Sequence, residues 1–104
     1  MQNTDNMLPL RFFDLKRKLQ VLNNEKRKLR SKILATKKSI EELYRMDTKV
    51  VYQKIDEILI KRQRQVVIDD TKEELATLDG ELKAIEENLE IEMTVFKQMA
   101  LKKG

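Results

Sequence analysis

The stretch KVVYQKIDEILIKR, residues 49–62, differs from everything around it in the chain. It is dense in β-branched and aromatic residues, which favour strands, whereas its flanks are highly charged and carry leucines at helical spacing. Asp56 falls near its middle, and aspartate tolerates the left-handed turn conformation better than most residues. The stretch therefore predicts a β-hairpin with strands at 49–54 and 57–62 and Asp56 near the tip.

The segments on both sides of this hairpin predict long helices. Positions at alternating steps of four and three are apolar in nine of eleven cases from 8 to 43, and in eight of ten from 68 to 99. This is the heptad spacing of a coiled-coil seam. The seam positions are Leu8, Phe12, Leu15, Leu19, Leu22, Lys26, Leu29, Ile33, Thr36, Ile40 and Leu43, then Ile68, Thr71, Leu75, Leu78, Leu82, Ile85, Leu89, Glu92, Phe96 and Met99.

Asp79-Gly80 is a dipeptide typical of turns, but it falls inside the second heptad run. Leu78 and Leu82 keep the seam in phase across it. We therefore predict that Gly80 lies on the outer face of a continuous helix, at a cost of roughly 1 kcal/mol.

The two helical segments carry opposite charge. Residues 8–46 hold twelve Lys or Arg against four Asp or Glu, a balance of +8, and residues 67–104 hold five against ten, a balance of −5. Two rods of similar length, opposite sign and one apolar stripe each favour an antiparallel pair over self-pairing. This arrangement predicts Leu43 near Ile68 and Leu15 near Phe96.

The predicted organisation is a disordered N-terminus at 1–7, a first coiled-coil helix at 8–46, a hairpin region at 47–63, a second helix at 64–101 and a tail at 102–104. The fold class is mainly α: an antiparallel two-helix coiled coil with a single β-hairpin where the chain turns round.

Composition argues against an enzyme. The chain has no histidine and no cysteine, and it lacks a glycine-rich phosphate loop or a GK[ST] motif. We therefore predict no catalytic residue, no cofactor and no metal. Its longest apolar runs are too short to span a membrane, and the missing cysteines suit a reducing compartment. These features fit the cytosol or the nucleus, and the location we predict is cytoplasmic.

The hairpin has apolar residues on both faces, which predicts that it does not stay solitary. A lone two-stranded ribbon is marginal in water, and its open edges invite pairing with other chains. We expect hairpins of several subunits to join in a β-barrel hub; the alternative is that the hairpin is a self-contained cap over the helix ends. The predicted assembly residues are Val50, Val51, Tyr52, Ile55, Ile58, Leu59 and Ile60.

Together these features resemble the prefoldins, in particular their β class. The resemblance covers helix, hairpin and helix, and it is carried by EEL at 41–43, the acidic Asp47, VVYQKI at 50–55 and EILIK at 57–61. Among eukaryotic members the run is most similar to the subunit 6 branch. The family usually has a glycine between the strands, where this chain has Asp56-Glu57.

The resemblance implies a hetero-hexamer of α-class and β-class prefoldin subunits with coiled-coil arms on a barrel body. It further implies that the arms bind unfolded client polypeptides, such as actin or tubulin chains, and pass them to the cytosolic chaperonin without nucleotide.

The helix ends away from the hairpin are the predicted client-binding tips, because their apolar content exceeds what the seam needs. Methionine and phenylalanine make adaptable surfaces that accept many sequences. Some of these residues belong to the seam. The alternatives are that these residues broaden the coil, contact a neighbouring arm, or are single exposed apolar residues without a role. The candidates are Leu8, Leu10, Phe12, Phe13, Met93, Val95, Phe96, Met99 and Leu101.

Two other functions remain open from the residues alone. The basic runs LKRKL at 15–19 and EKRKLRSK at 25–32 are of the kind that neutralises phosphates, which would suit a nucleic-acid-binding coiled coil. No aromatic residues interleave with them, and the acidic second helix can offset their charge. A purely structural coiled-coil subunit of another complex is the other alternative.

Overall fold

The computed structural model describes residues 4–103 of the backbone and the side chains of residues 10–101. The elements are α1, Thr4–Arg45; β1, Val50–Ile55; β2, Ile58–Gln63; and α2, Arg64–Lys103. The predicted order of helix, hairpin and helix is confirmed. The helices extend beyond the expected ends at 8 and 101, because heptad spacing marks the limits of a seam and not those of backbone hydrogen bonding. Both strands lie one residue further along the chain than predicted.

The chain forms two compact units. We call Met1–Leu29 with Glu81–Gly104 the terminal unit, and Arg30–Gly80 the hairpin unit.

The terminal unit contains an antiparallel helix pair. Leu19 and Leu22 of α1 are buried together with Leu89 of α2, and Ile85 and Phe96 pack against them. The rings of Phe12 and Phe96 stack with their centroids 4.7 Å apart. Residues later in α1 contact residues earlier in α2, so the two helices run antiparallel, as predicted.

Two ion pairs join the helices of the terminal unit along the edges of this seam. Lys18 lies 2.8 Å from Glu92, and Lys26 lies 3.9 Å from Glu86. Both pairs are partly exposed, so each contributes little to the free energy of unfolding.

The hairpin unit has its own core, where the helices meet the sheet. Leu43, Val67 and Ile68 are buried in one cluster, and Val51 of β1 packs against it. Ile68 is the most enclosed of these, at 1% exposure. The predicted proximity of Leu43 and Ile68 is confirmed.

The hairpin is closed by a two-residue turn at Asp56-Glu57. The strands pair antiparallel from Val50 opposite Gln63 to Ile55 opposite Ile58. Asp56 has a φ of 55°, the one positive φ of a non-glycine residue in the described part of the chain. Aspartate thus takes the left-handed conformation for which glycine is usual.

Arg64 connects the end of α1 to the start of α2. Its guanidinium donates hydrogen bonds to the backbone carbonyls of Leu43 and Met46, and its backbone N–H donates to the Lys49 carbonyl at 2.8 Å. The carbonyls at a helix C-terminus have no partner within the helix, so a cation there satisfies them and interacts favourably with the helix dipole.

Gly80 lies within α2, on its exposed side, as the heptad phase predicts. A Cβ added at this position would meet no atom within 4 Å.

Candidate functional site

Side-chain burial follows the predicted seam closely. Every described seam position is buried or half-buried, and the described side chains between them on α1 are exposed. Apolar residues off the seam therefore mark surface that the helix pair does not need for its own stability. Most of these residues lie in the terminal unit or on the hairpin; the others are Leu34, Tyr44, Met46 and Val66 of the hairpin unit.

The α1 side of the terminal unit carries an exposed aromatic residue off the seam. Phe13 is 59% exposed, and Leu10 beside it is also exposed. The guanidinium of Arg17 lies 5.7 Å from the centre of the Phe13 ring, a cation–π distance. Phe12 is half-buried against Phe96, whereas the side chain of Leu8 lies outside the described residues.

The α2 side of the terminal unit adds further exposed apolar residues. Met93, Val95 and Leu101 are exposed, and Met99 is half-buried with Phe96. Met93 lines an open groove of about 550 Å³ whose other lining residues are mostly charged. The burial of these residues agrees with the division into seam and off-seam positions; their role in binding clients stays a prediction.

Sequence reasoning missed two exposed apolar residues of the terminal unit. Ile91 is 62% exposed and Val21 is half exposed. Ile91 precedes Val95 by four residues, so the two lie on one face of α2. That spacing was the available signal, and it was overlooked because it lies away from the chain end.

The hairpin presents two faces of different chemistry. The helix-side face holds Val51, Gln53 and Ile55 of β1 with Ile58, Ile60 and Arg62 of β2. The outer face holds Val50, Tyr52 and Lys54 with Leu59, Lys61 and Gln63.

The helix-side face is anchored at one end and open at the other. Val51 packs on the core, while Arg62 donates hydrogen bonds to Gln53 at 3.0 Å and to Asp70 of α2 at 2.6 Å. Nearer the turn, however, Ile55 and Ile58 stand opposite each other and are exposed, Ile58 at 65%. Together with the exposed Ile60 they form an apolar patch that nothing in the hairpin unit covers.

The outer face mixes apolar and basic groups. Tyr52 is 69% exposed and Leu59 is similarly open. Lys54 stands opposite Leu59, and Lys61 stands opposite Tyr52. All of the predicted assembly residues thus lie on the two strands, and all except Val50 and Val51 are exposed.

One further contact lies near the hairpin, on the flank of the helix pair. The Lys72 ammonium lies 5.2 Å from the centre of the Tyr44 ring. A hydrogen bond with the Tyr44 side chain raises the pKa of Lys72 above its usual value. The contact joins α1 to α2 and was not foreseen from the sequence.

Within the described residues no group of three or more acidic side chains is placed to hold a metal ion. No helix in the described range is both long enough and apolar enough to cross a membrane.

The fold and its two exposed surfaces define a class of protein: a two-helix coiled coil with a single β-hairpin joining its helices. A family model described as "Prefoldin subunit" matches residues 9–101, and the chain belongs to the prefoldin subunit family. The predicted resemblance is thereby confirmed.

The fold matches that of a solved prefoldin subunit. The crystal structure of the prefoldin beta subunit from Thermococcus strain KS-1 superposes with a TM-score of 0.87. That match covers 98% of this chain and 93% of the other, at 21% sequence identity. The chain therefore has the fold of a prefoldin beta subunit. No curated protein matches it in sequence.

Proposed function

We propose that this chain is one arm of a hetero-hexameric prefoldin co-chaperone in the cytoplasm. Its hairpin joins the hairpins of α- and β-class sister subunits in a barrel hub. Its terminal unit holds unfolded polypeptides, such as actin or tubulin chains, and the assembly delivers them to the cytosolic chaperonin without nucleotide. The subunit 6 branch is the proposed place of the chain within the family.

The exposed apolar surface of the hairpin supports the assembly step. Ile55, Ile58 and Ile60 form a patch on the helix-side face, and both strands are open edges. Apolar surface of this kind is stabilised by burial, and an open strand edge offers unpaired N–H and C=O groups to another strand. The hairpin of a neighbouring subunit would bury the apolar patch and pair with an open strand edge at the same time.

The observation that carries the client-binding step is the exposure of Phe13 and Met93 in the terminal unit. The seam does not use either side chain, yet both lie beside seam residues that are packed. Leu10, Val95 and Leu101 of the same unit are exposed with them. A group of exposed apolar residues favours an interaction surface, whereas a single exposed residue such as Leu34 needs no partner to explain it. Methionine adapts its shape to many partners, which suits clients without a fixed structure.

Client release follows from the same geometry. The exposed apolar side chains of the terminal unit lie on open surface or, for Met93, in an open groove. Each contact is therefore weak, and binding depends on many of them together. Such a site can retain a chain that exposes apolar residues and lose it as that chain folds.

The assembly step is tested by Ile58→Asp. This side chain is largely in solvent, so the charge leaves the fold of the subunit intact but opposes burial in a hub. Native mass spectrometry with co-expressed α-class subunits should show the six-chain complex lost. Leu34→Asp is the matched control, because Leu34 is 68% exposed on α1 and lies away from the strands. Equal assembly of both variants would contradict the proposed hub.

The client-binding step is tested by the double variant F13S/M93S. The assembled complex should suppress aggregation of a chemically denatured protein, and the double variant should lose most of that suppression while remaining assembled. Leu34→Ser is the control that removes an exposed apolar side chain from the hairpin unit. If F13S/M93S and L34S protect equally well, the terminal unit is not the client site.

The nucleic-acid alternative predicts a different outcome. Titration of duplex DNA at two salt concentrations would then show binding that falls steeply with salt. A purely structural subunit would bind neither DNA nor unfolded protein.

A further inference from the structure

The outer face of the hairpin carries two lysines, one on each strand. Lys54 lies on β1 and Lys61 on β2, two rungs apart in the ladder and on the same face. The other side chains of this face are Val50, Tyr52, Leu59 and Gln63. The outer face therefore holds positive charge and no carboxylate.

These two lysines have no partner of opposite charge in the described part of the chain. The ion pairs found there use Lys18, Lys26 and Arg62, and neither hairpin lysine takes part in one. Arg62, the third cation of the strands, is held by Asp70. Lys54 and Lys61 are both exposed, so their charge is available to whatever lies beside the sheet.

The carboxylates of the hairpin itself do not offset this charge. Asp56 and Glu57 lie in the turn, beyond the closing pair of Ile55 and Ile58. The lysines stand one and three rungs further into the ladder. Each edge of the ladder therefore offers a lysine and no acidic group on the outer face.

When a strand of another subunit pairs with an edge of this hairpin, the lysine on that edge affects which strand binds most stably. Side chains on the same face of adjacent strands stand as cross-strand pairs, about 4.5–5.5 Å apart at Cβ. Opposite charges at such a pair stabilise the sheet, and like charges destabilise it. An incoming strand beside β1 meets Lys54, and one beside β2 meets Lys61.

We propose that the strands docking on this hairpin belong to a different subunit and carry Asp or Glu on the face that holds Lys54 and Lys61. A second copy of this chain would bring two further lysines and no carboxylate to that face. The lysines thus select an acidic sister hairpin and disfavour self-pairing. This inference rests on the proposed assembly through hairpins and adds the chemistry of the partner.

The test uses the chain as its own surrogate partner. The variant K54E/K61E keeps every apolar residue of the hairpin and reverses its charge, so mixing it with the wild-type chain creates a basic and an acidic hairpin of equal shape. Sedimentation velocity and native mass spectrometry of an equal mixture at about 50 mM NaCl should show mixed assemblies. Their affinity should exceed self-association of either chain by about 2- to 30-fold. At about 500 mM NaCl the preference should shrink.

The matched control is K37E/K38E, which makes the same charge change at exposed lysines of α1 in the hairpin unit. Mixed with wild type, it should show no preference for mixed assemblies. The neutral variant K54Q/K61Q should self-associate more tightly than wild type. If K54E/K61E shows no preference beyond that of the control, or K54Q/K61Q self-associates as wild type does, the inference is overturned.

Introducing Ile58→Asp into both chains of the mixture separates this inference from the proposed function. Loss of assembly with I58D, combined with no effect of the lysine variants, would leave the hairpin hub standing and remove only the acidic partner. Persistence of assembly with I58D would instead reject the hub itself.

Discussion

Replacing Gly80 by alanine tests whether α2 is continuous through a dipeptide that is typical of turns. The structure places Gly80 inside the helix, exposed, without a positive φ, and with open space around a new Cβ. No steric cost therefore opposes the higher helix propensity of alanine. The full difference of about 0.8–1.0 kcal/mol should appear as added free energy of unfolding.

The assay is urea and thermal unfolding followed by circular dichroism at fixed protein concentration, because assembly makes apparent stability depend on concentration. For a chain of this length about 1 kcal/mol corresponds to a rise in Tm of about 4–8 °C. The reciprocal control is Ala84→Gly, an exposed position of the same helix, which should lower stability by a similar amount.

A different result would refute the reasoning clearly. If Gly80→Ala leaves stability unchanged or lowers it while Ala84→Gly lowers it as expected, Gly80 does not occupy a regular helix in solution. Asp79-Gly80 would then form a turn, and the seam from Leu78 to Leu82 would be interrupted.

Three further predictions concern the hairpin unit. Asp56→Gly should relieve the strain of a positive φ, of order 1 kcal/mol, and so increase the protection of the hairpin amides from exchange. Glu57→Gly should decrease that protection, because Glu57 has no positive φ and the glycine only adds flexibility. Ile68→Ala should lower the free energy of unfolding by about 2–5 kcal/mol in urea titrations, since its side chain is almost fully enclosed; a change below 1 kcal/mol would mean that the core is not formed as described. Tyr44→Phe should lower the pKa of Lys72 toward its usual value, as measured by NMR titration. A raised lysine pKa stabilises the folded state only while the lysine is protonated, below that pKa. The free energies of unfolding of wild type and variant should therefore converge at strongly alkaline pH.

The seam could be predicted from the sequence in nearly full detail. Apolar residues at steps of three and four admit one geometry, a helix with a buried stripe, and the phase holds without a slip on both sides of the hairpin. The polar positions of the seam were also identified, but their contacts were not. Thr36 and Thr71 donate to carbonyls of their own helices, Lys32 and Val67, and so do not link the two helices.

The hairpin was predicted to within one residue, with Asp56 in its turn. Strand ends shift easily, because alternation of side chains fixes the face of each residue but not where pairing stops. The amino acids alone also could not separate the two faces, since both carry apolar residues: Val51 and the isoleucines on one, Val50, Tyr52 and Leu59 on the other. The contact of Val51 with the Leu43 and Ile68 core decides which face turns toward the helices.

The sequence by itself determined the helix–hairpin–helix order, the antiparallel pairing and the surplus of apolar side chains at the helix ends. The order and the surplus follow from local patterns along the chain, and the pairing follows from the summed charge of each helical segment. Only the tertiary structure showed that Arg64 caps α1, that Arg62 is neutralised by Asp70, and that Lys54 and Lys61 are left without partners on one face. These contacts join residues whose separation in sequence carries no pattern. They depend on where the sheet sits against the helices, which is set by packing.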